Sequence, residues 1–280
     1  MGWQMHVNCK GYKRIRLAGW LLIGWLGMAC APSSSALEVW ILRHGETTWN
    51  RAKILQGALE HPDLTQKGVR MAEDTGEGLA TAGVHFDRVY SSPLRRARHT
   101  AELVCKPLGI EVQLDKRLQE MNFGIYQGTR YDSKTCTNAN LRAFYEDNEK
   151  YVPQGPGAER LSDVKARAKG FLETVVKPLE GSCNRVLCVS HGLVLNVIAR
   201  AYAQMPGAGQ STVDVQRNCS FLILDLQDGT FRVKDVGRVF YDVAKFDAMD
   251  SSFEGTCCRA DGLTTGGEGQ GRCGVRPRAR

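Results

Sequence analysis

The sequence contains no apolar run long enough for an ordinary membrane span. Its longest, "LAGWLLIGWLGMACA" over 17–31, has 15 residues without a charge, against the roughly 20 that a bilayer core requires. It also lacks a basic stripe in its middle. Of the formal charge of +7, residues 1–36 carry +4 and residues 250–280 carry +1, leaving +2 for 37–249. A nucleic-acid partner is thereby excluded, because its electrostatic footprint would need a basic face on the domain itself. The six histidines are scattered and no Asp-rich cluster accompanies them, so neither a metal nor any other cofactor is implied. No Gly-x-Ser-x-Gly elbow occurs, which sets aside serine-hydrolase chemistry of that kind; cysteine-phosphatase chemistry is set aside on the expectation that the chain has no Cys-x₅-Arg loop. No internal repeat is visible.

Ten cysteines are present, but they form no framework. Cys9 and Cys30 lie near the start, and Cys257, Cys258 and Cys273 near the end. The middle keeps five, Cys105, Cys136, Cys183, Cys188 and Cys219. Cys183 and Cys188 are too far apart for a zinc knuckle. Free or structural thiols are expected.

The order basic (Lys10 to Arg16), apolar (17–31), small ("PSSSA") is that of a secretory signal or an anchoring leader. Cleavage before Leu37 is the expected site, because cleavage after Ala31 would leave Pro32 next in line. Residues 1–36 are therefore read as a leader, with export or membrane anchoring as its consequence and any membrane contact confined to it. A translated, non-native extension of a cytoplasmic protein is the alternative. Residues 250–280, rich in Gly and Arg without hydrophobic period, read as a disordered tail. One domain remains, 37–249.

Within it, "LEVWIL" (37–42) and "NRVLCVS" (184–190) are short β-branched runs suited to strands buried on both faces. "FDRVYSS" (86–92) is a weaker third, and "SFLILDLQDGTFRV" reads as two strands around an Asp-Gly turn. Helices are expected over about 93–105, opened by Pro93, over 162–179 with Ser162 as N-cap, and from Gly192 to about Ala203. The alternation predicts an α/β fold, a three-layer α/β/α sandwich around a mostly parallel sheet. Ligands of such sheets bind beyond the carboxyl ends of the strands. Two strands end in polar pairs that a core would reject, Arg43-His44 and Ser190-His191. These pairs mark a site.

"LRHGETTWN" (42–50), "LQG" (55–57), "LTQKG" (64–68), "SSPLRRARHTA" (91–101), "LQEMNFG" (118–124), "GAER" (157–160) and "SHG" (190–192) occur in that order. Together they resemble the histidine phosphatase superfamily, in its phosphoglycerate mutase-like branch, over about 38–225. In the acid-phosphatase branch Arg and Pro follow the RHG; here Glu46, Thr47 and Thr48 do. Gln127 and Arg160 stand where relatives frequently have glutamate and serine, which bears on substrate preference.

The resemblance implies a catalytic set of His44 as the nucleophile, Arg43 and Arg96 as phosphate clamps, His191 as a further donor and Glu120 as general acid and base. Asn50, Gln56, Gly57 and Gly192 are the implied substrate-binding positions. The chemistry suits these residue types. Phosphoryl transfer needs an in-line nucleophile, cations around the non-bridging oxygens and a proton for the leaving oxygen. Flanking guanidiniums disfavour a protonated imidazole and grip phosphate with paired N–H groups.

Three functions follow for a small phosphorylated ligand. The first is a phosphomonoesterase on sugar phosphates, most like the TIGAR-type fructose-2,6-bisphosphatases. The second is a phosphoglycerate mutase, disfavoured by the short span from Glu120 to His191 and by Met121-Asn122-Phe123-Gly124 where mutases carry Arg-His-Tyr-Gly. The third is a non-catalytic binder of phosphorylated ligands, disfavoured because all five reacting groups are present.

Overall fold

In a computed structural model the protein is described over residues 36–130, 138–146, 150–203 and 217–249. The expected leader, apart from Ala36, and the expected tail lie outside the described residues.

Six strands form one sheet in the order β3-β2-β4-β1-β5-β6. They are β1 (Leu37–Arg43), β2 (Arg88–Ser91), β3 (Gln113–Leu114), β4 (Arg185–Ser190), β5 (Phe221–Gln227) and β6 (Thr230–Arg238). β1 pairs parallel with β4, β4 with β2 and β2 with β3, whereas β5 runs antiparallel to both β1 and β6. The sheet is thus mostly parallel, as expected. The β5–β6 hairpin turns on Asp228 and Gly229, both at positive φ (52° and 69°), the backbone an Asp-Gly two-residue turn supplies.

Alternate residues of β1 enter two cores. Val39 and Ile41, with Val186, Cys188, Leu222 and Leu224, pack under α5 (Leu161–Phe171) and α6 (Gly192–Tyr202). Trp40 and Leu42, with Leu187, Val189 and Ile223, meet α2 (Gln66–Thr81) and α3 (Arg95–Cys105) on the other face. These strand side chains are essentially solvent-free. Each such aliphatic chain contributes about 1.5–3 kcal/mol through burial. Three layers result. Two shorter helices, α1 (Thr48–Ala52) and α4 (Ala139–Glu146), lie in connections.

Three local expectations need correction. α3 starts at Arg95, not at Pro93, because Ser92 Oγ accepts the Leu94 N–H (3.3 Å) in a turn and Leu94 keeps an extended ψ of 131°. Ser162 is not an N-cap. Arg160 holds that place with an extended backbone, and its N–H donates to the Asp163 carboxylate at 2.8 Å. The helix expected over 162–179 is α-helical only to Phe171. It widens into a π turn at Leu172–Val176 and tightens to a 3₁₀ turn at Lys177–Leu179, where Pro178 removes a backbone donor and crowds the preceding turn. Cys105, Cys183, Cys188 and Cys219 are buried free thiols; Cys136 lies outside the described residues.

Candidate active site

Because β1 and β4 are parallel neighbours with Arg43 opposite Ser190, their polar ends emerge together. The His44 N–H donates to the Ser190 carbonyl at 3.0 Å, and the rings of His44 and His191 stand 5.1 Å apart. Next in the sheet, the Ser92 N–H donates to Val189 (2.9 Å), which brings Ser92 beside His191. From the opposite side the Arg43 N–H donates to Ser220 and the Cys219 N–H to Arg43.

His44 is 3% exposed, and its Nδ1 lies 2.8 Å from the Gly45 carbonyl. A carbonyl only accepts, so Nδ1 bears the hydrogen and Nε2 keeps the lone pair. Burial, then Arg96 and Arg43, hold the imidazole pKa well below its ordinary 6.5. The ring is neutral at neutral pH. Gly45 must be glycine here: a Cβ would sit 2.6 Å from the Gly68 carbonyl, and one on Gly68 would strike the Glu46 backbone. That contact joins "RHG" to "LTQKG". Thr65 tightens it by capping α2 at Gly68 (2.9 Å) while donating to the Glu46 carboxylate (2.8 Å). Thr100 on α3 accepts the Gly45 N–H at 3.0 Å, and Asn218 Nδ2 donates to the His44 carbonyl at 2.9 Å.

Arg96 is 1% exposed in the first turn of α3. Nη1 donates to Leu59 (2.8 Å) and Nη2 to Gly57 (2.6 Å), while Nε has no partner. Burial lowers its pKa to about 10, which still leaves a cation at pH 7. A buried guanidinium with an open N–H calls for an anion.

His191 is fully buried, and burial, then Arg96 and His44, depress its pKa well below 6.5. Its Nε2 is 2.8 Å from Ser92 Oγ, and Nδ1 is buried without a partner.

Glu120 accepts N–H bonds from Met121 (3.0 Å) and from Leu193 (3.3 Å) at the start of α6. Burial nevertheless raises its pKa above 4.5, against those bonds and the charge of Arg96. The carboxyl holds a proton at higher pH than an exposed one, as a general acid requires.

Of the implied substrate-binding positions, Gly192 lies against Arg43, where a Cβ would be 3.4 Å from Nε. Gly57, at φ +53°, gives its carbonyl to Arg96, so the residue positions the clamp. Asn50 Oδ1 is occupied by Thr47 (3.1 and 3.0 Å) and Asn218 (3.4 Å), which leaves Nδ2 for a ligand. Gln56 is 8% exposed with its Oε1 unpartnered. The two departures do structural work: Gln127 Oε1 accepts the Ala58 N–H (2.6 Å) and Arg160 opens α5.

Sequence reading missed Ser92, Thr100 and Asn218. The Ser-Ser-Pro turn hinted at the first, whereas nothing near Asn218 in the chain points to His44. Cys136 and Arg142 do have the six-residue spacing of a cysteine-phosphatase loop, so spacing alone could not set that chemistry aside. The described part of that stretch, Ala139 to Arg142, is taken up by helix α4 rather than by a loop. Among the described residues no group of three His, Cys, Asp or Glu could hold a metal ion.

The family described as the histidine phosphatase superfamily (branch 1) matches residues 39–238. The protein called "Probable phosphoglycerate mutase GpmB" of Erwinia tasmaniensis is 33% identical over 193 residues, 68% of this chain and 86% of that one. Among solved structures, the phosphoglycerate mutase of Bacillus anthracis superposes with a TM-score of 0.63 at 27% identity, covering 76% of this chain and 98% of its own. A mycobacterial glucosyl-3-phosphoglycerate phosphatase gives 0.60 at 27% identity, covering 72% and 98%.

Proposed function

The chain belongs to branch 1 of the histidine phosphatase superfamily, and from that premise we propose that it is a metal-independent phosphomonoesterase acting on small phosphorylated metabolites through a phosphohistidine. The observation that carries this reading is the fixed tautomer of His44, whose Nδ1 bond to Gly45 leaves the Nε2 lone pair available beside two arginines.

In the proposed reaction, Arg43, Arg96 and the Nδ1–H of His191 hold the non-bridging oxygens. Nε2 of His44 attacks phosphorus in line. The bond from phosphorus to the ester oxygen breaks, its electron pair goes to oxygen, and Glu120 delivers the proton. Water then attacks the phosphohistidine and gives a proton to the Glu120 carboxylate. The P–N electron pair returns to Nε2 as inorganic phosphate forms. Holding charge with preset donors is the main device open to an enzyme for this transfer.

The relatives include proteins named as mutases, which favours a second reading, transfer of the phosphoryl group back to the product. The two differ in who attacks the phosphohistidine. Incubation with 3-phosphoglycerate, fructose 2,6-bisphosphate and a panel of sugar phosphates, following both phosphate release and isomerised product, separates them. Phosphate in large excess over isomer is expected. Efficient interconversion of 2- and 3-phosphoglycerate would make the mutase reading the better one.

The leader is proposed to take the protein out of the cytoplasm or to anchor it. Mass spectrometry of the native N-terminus is expected to place it near Leu37. An intact Met1 in a cytoplasmic fraction would overturn that and fit a cytosolic regulatory sugar phosphate.

A further inference from the structure

Beside Glu120 lies a cavity of about 340 Å³, toward the small end of ligand pockets, which span about 300–1,000 Å³. Its walls include Ala58, Lys116, Arg117, Glu120, Glu159 and Arg167. Glu120 lines this space and lies close enough to Arg96 for their charges to interact, and Ala58, also in the wall, directly follows the Gly57 that holds Arg96. In the proposed reaction, a substrate whose ester oxygen takes its proton from Glu120 has this cavity open to its organic part.

The charges in its wall are not equally available. Arg117 is spent on Asp115 (2.9 and 2.6 Å) and Thr174 (2.7 Å). Arg167 is spent on Glu159 (2.8 and 3.2 Å) and on the carbonyls of Arg117 and Gln119, 2.9 and 2.5 Å away. There it pins the segment that carries Glu120. Lys116 remains. It is exposed, and among the described residues no carboxylate pairs with its ammonium. An entering anion meets an ammonium that no carboxylate among the described residues already holds.

We infer that this cavity is a leaving-group subsite for alcohols bearing an anionic group, a carboxylate or a second phosphate, with Lys116 as the residue that selects it. The inference rests on the phosphatase reading above and narrows its substrate class.

Matched substrate pairs test it. In one, 3-phosphoglycerate is compared with glycerol 3-phosphate, which differs only by CH₂OH in place of the carboxylate. In the other, fructose 1,6-bisphosphate is compared with fructose 6-phosphate. In at least one pair the wild type is expected to favour the anionic member in kcat/KM by about tenfold, the size of one charge-assisted contact. The pair that responds identifies the anion. Lys116→Gln should bring that ratio close to one, mainly through KM, and Lys116→Arg should restore it. A ratio near one in the wild type, or one unaltered in Lys116→Gln, would overturn the subsite. In either case continued phosphate release from p-nitrophenyl phosphate would leave the phosphatase reading standing. No turnover of any ester would overturn both.

Discussion

The Ser190 carbonyl accepts the His44 N–H at 3.0 Å, a bond that fastens the ends of two parallel strands and sets two imidazoles side by side. The sheet register thus fixes the distance between the proposed nucleophile, His44, and the proposed hydrogen-bond donor to phosphate, His191, before any side chain is chosen. Helices add the rest: α3 brings Arg96, and the start of α6 steadies Glu120.

Arg96 serves two masters, the Gly57 and Leu59 carbonyls on one side and an open Nε on the other. Lysine has one ammonium and cannot fill both roles. Arg96→Lys should lower kcat/KM for any phosphomonoester by about 100-fold or more, the worth of two charge-assisted bonds. Steady-state kinetics with p-nitrophenyl phosphate checks this; a loss below about threefold would remove Arg96 from the clamp.

Ser92 Oγ already accepts the Leu94 N–H, so its own hydrogen is available for His191 Nε2. That donation leaves the hydrogen of His191 on Nδ1, pointed at an anion rather than repelling it. Nitrogen-15 shifts of the imidazole should report an Nδ1–H tautomer in the wild type. Ser92→Ala should mix the tautomers and lower kcat by about tenfold. An Nε2–H tautomer in the wild type would contradict the assignment.

Glu120 must be protonated to serve a poor leaving group. Its pKa is raised above 4.5 by burial, so the phosphorylation rate for alkyl phosphates should fall as pH rises through that raised value. Glu120→Gln should abolish this alkaline limb and slow alkyl esters by about 10²–10⁴. p-Nitrophenyl phosphate, whose leaving group is already a weak base, should suffer far less. Single-turnover kinetics that found equal losses for both would remove Glu120 as the acid.

His44 and His191 also tie stability to pH. Both fold as neutral rings with pKa values well below 6.5, whereas the unfolded chain protonates them near 6.5. The unfolded state then binds more protons below 6.5, so stability is complete above that pH and drains away as pH falls toward the depressed values. Glu120, shifted upward, opposes this, so Glu120→Gln is the cleaner background. Between pH 6.5 and 5 that variant should lose up to about 1.4 kcal/mol per pH unit for each histidine. Urea unfolding across the interval measures it. A flat profile would mean that the rings are not buried neutral.

Much of this was legible in the sequence because buried strands that end in charge are costly unless a site uses the charge. "LEVWIL" followed by Arg43-His44 and "RVLCVS" followed by His191 carried that signal, and Asp228-Gly229 announced its own turn. Other parts gave none. β3 is two exposed residues, Gln113 and Leu114, with no pattern to read. α2 buries Gly68, Ala72, Thr75 and Gly76 besides Met71 and Leu79, so its inner face is small rather than hydrophobic. Asn218 reaches His44 only through the antiparallel return of β5, a tertiary fact with no local trace. Beyond Phe171 the hydrophobic spacing of a helix persists through a π turn whose hydrogen bonds differ, so spacing alone extends the α-helix too far.

The central claim is that His44 Nε2 becomes phosphorylated. Rapid quenching with a labelled phosphomonoester tests it most directly. Expected is one trapped phosphoryl group that is stable in alkali and labile in acid, absent from His44→Ala, and located on His44 by peptide mapping. Undiminished turnover by His44→Ala, or label that maps to another residue, would contradict it.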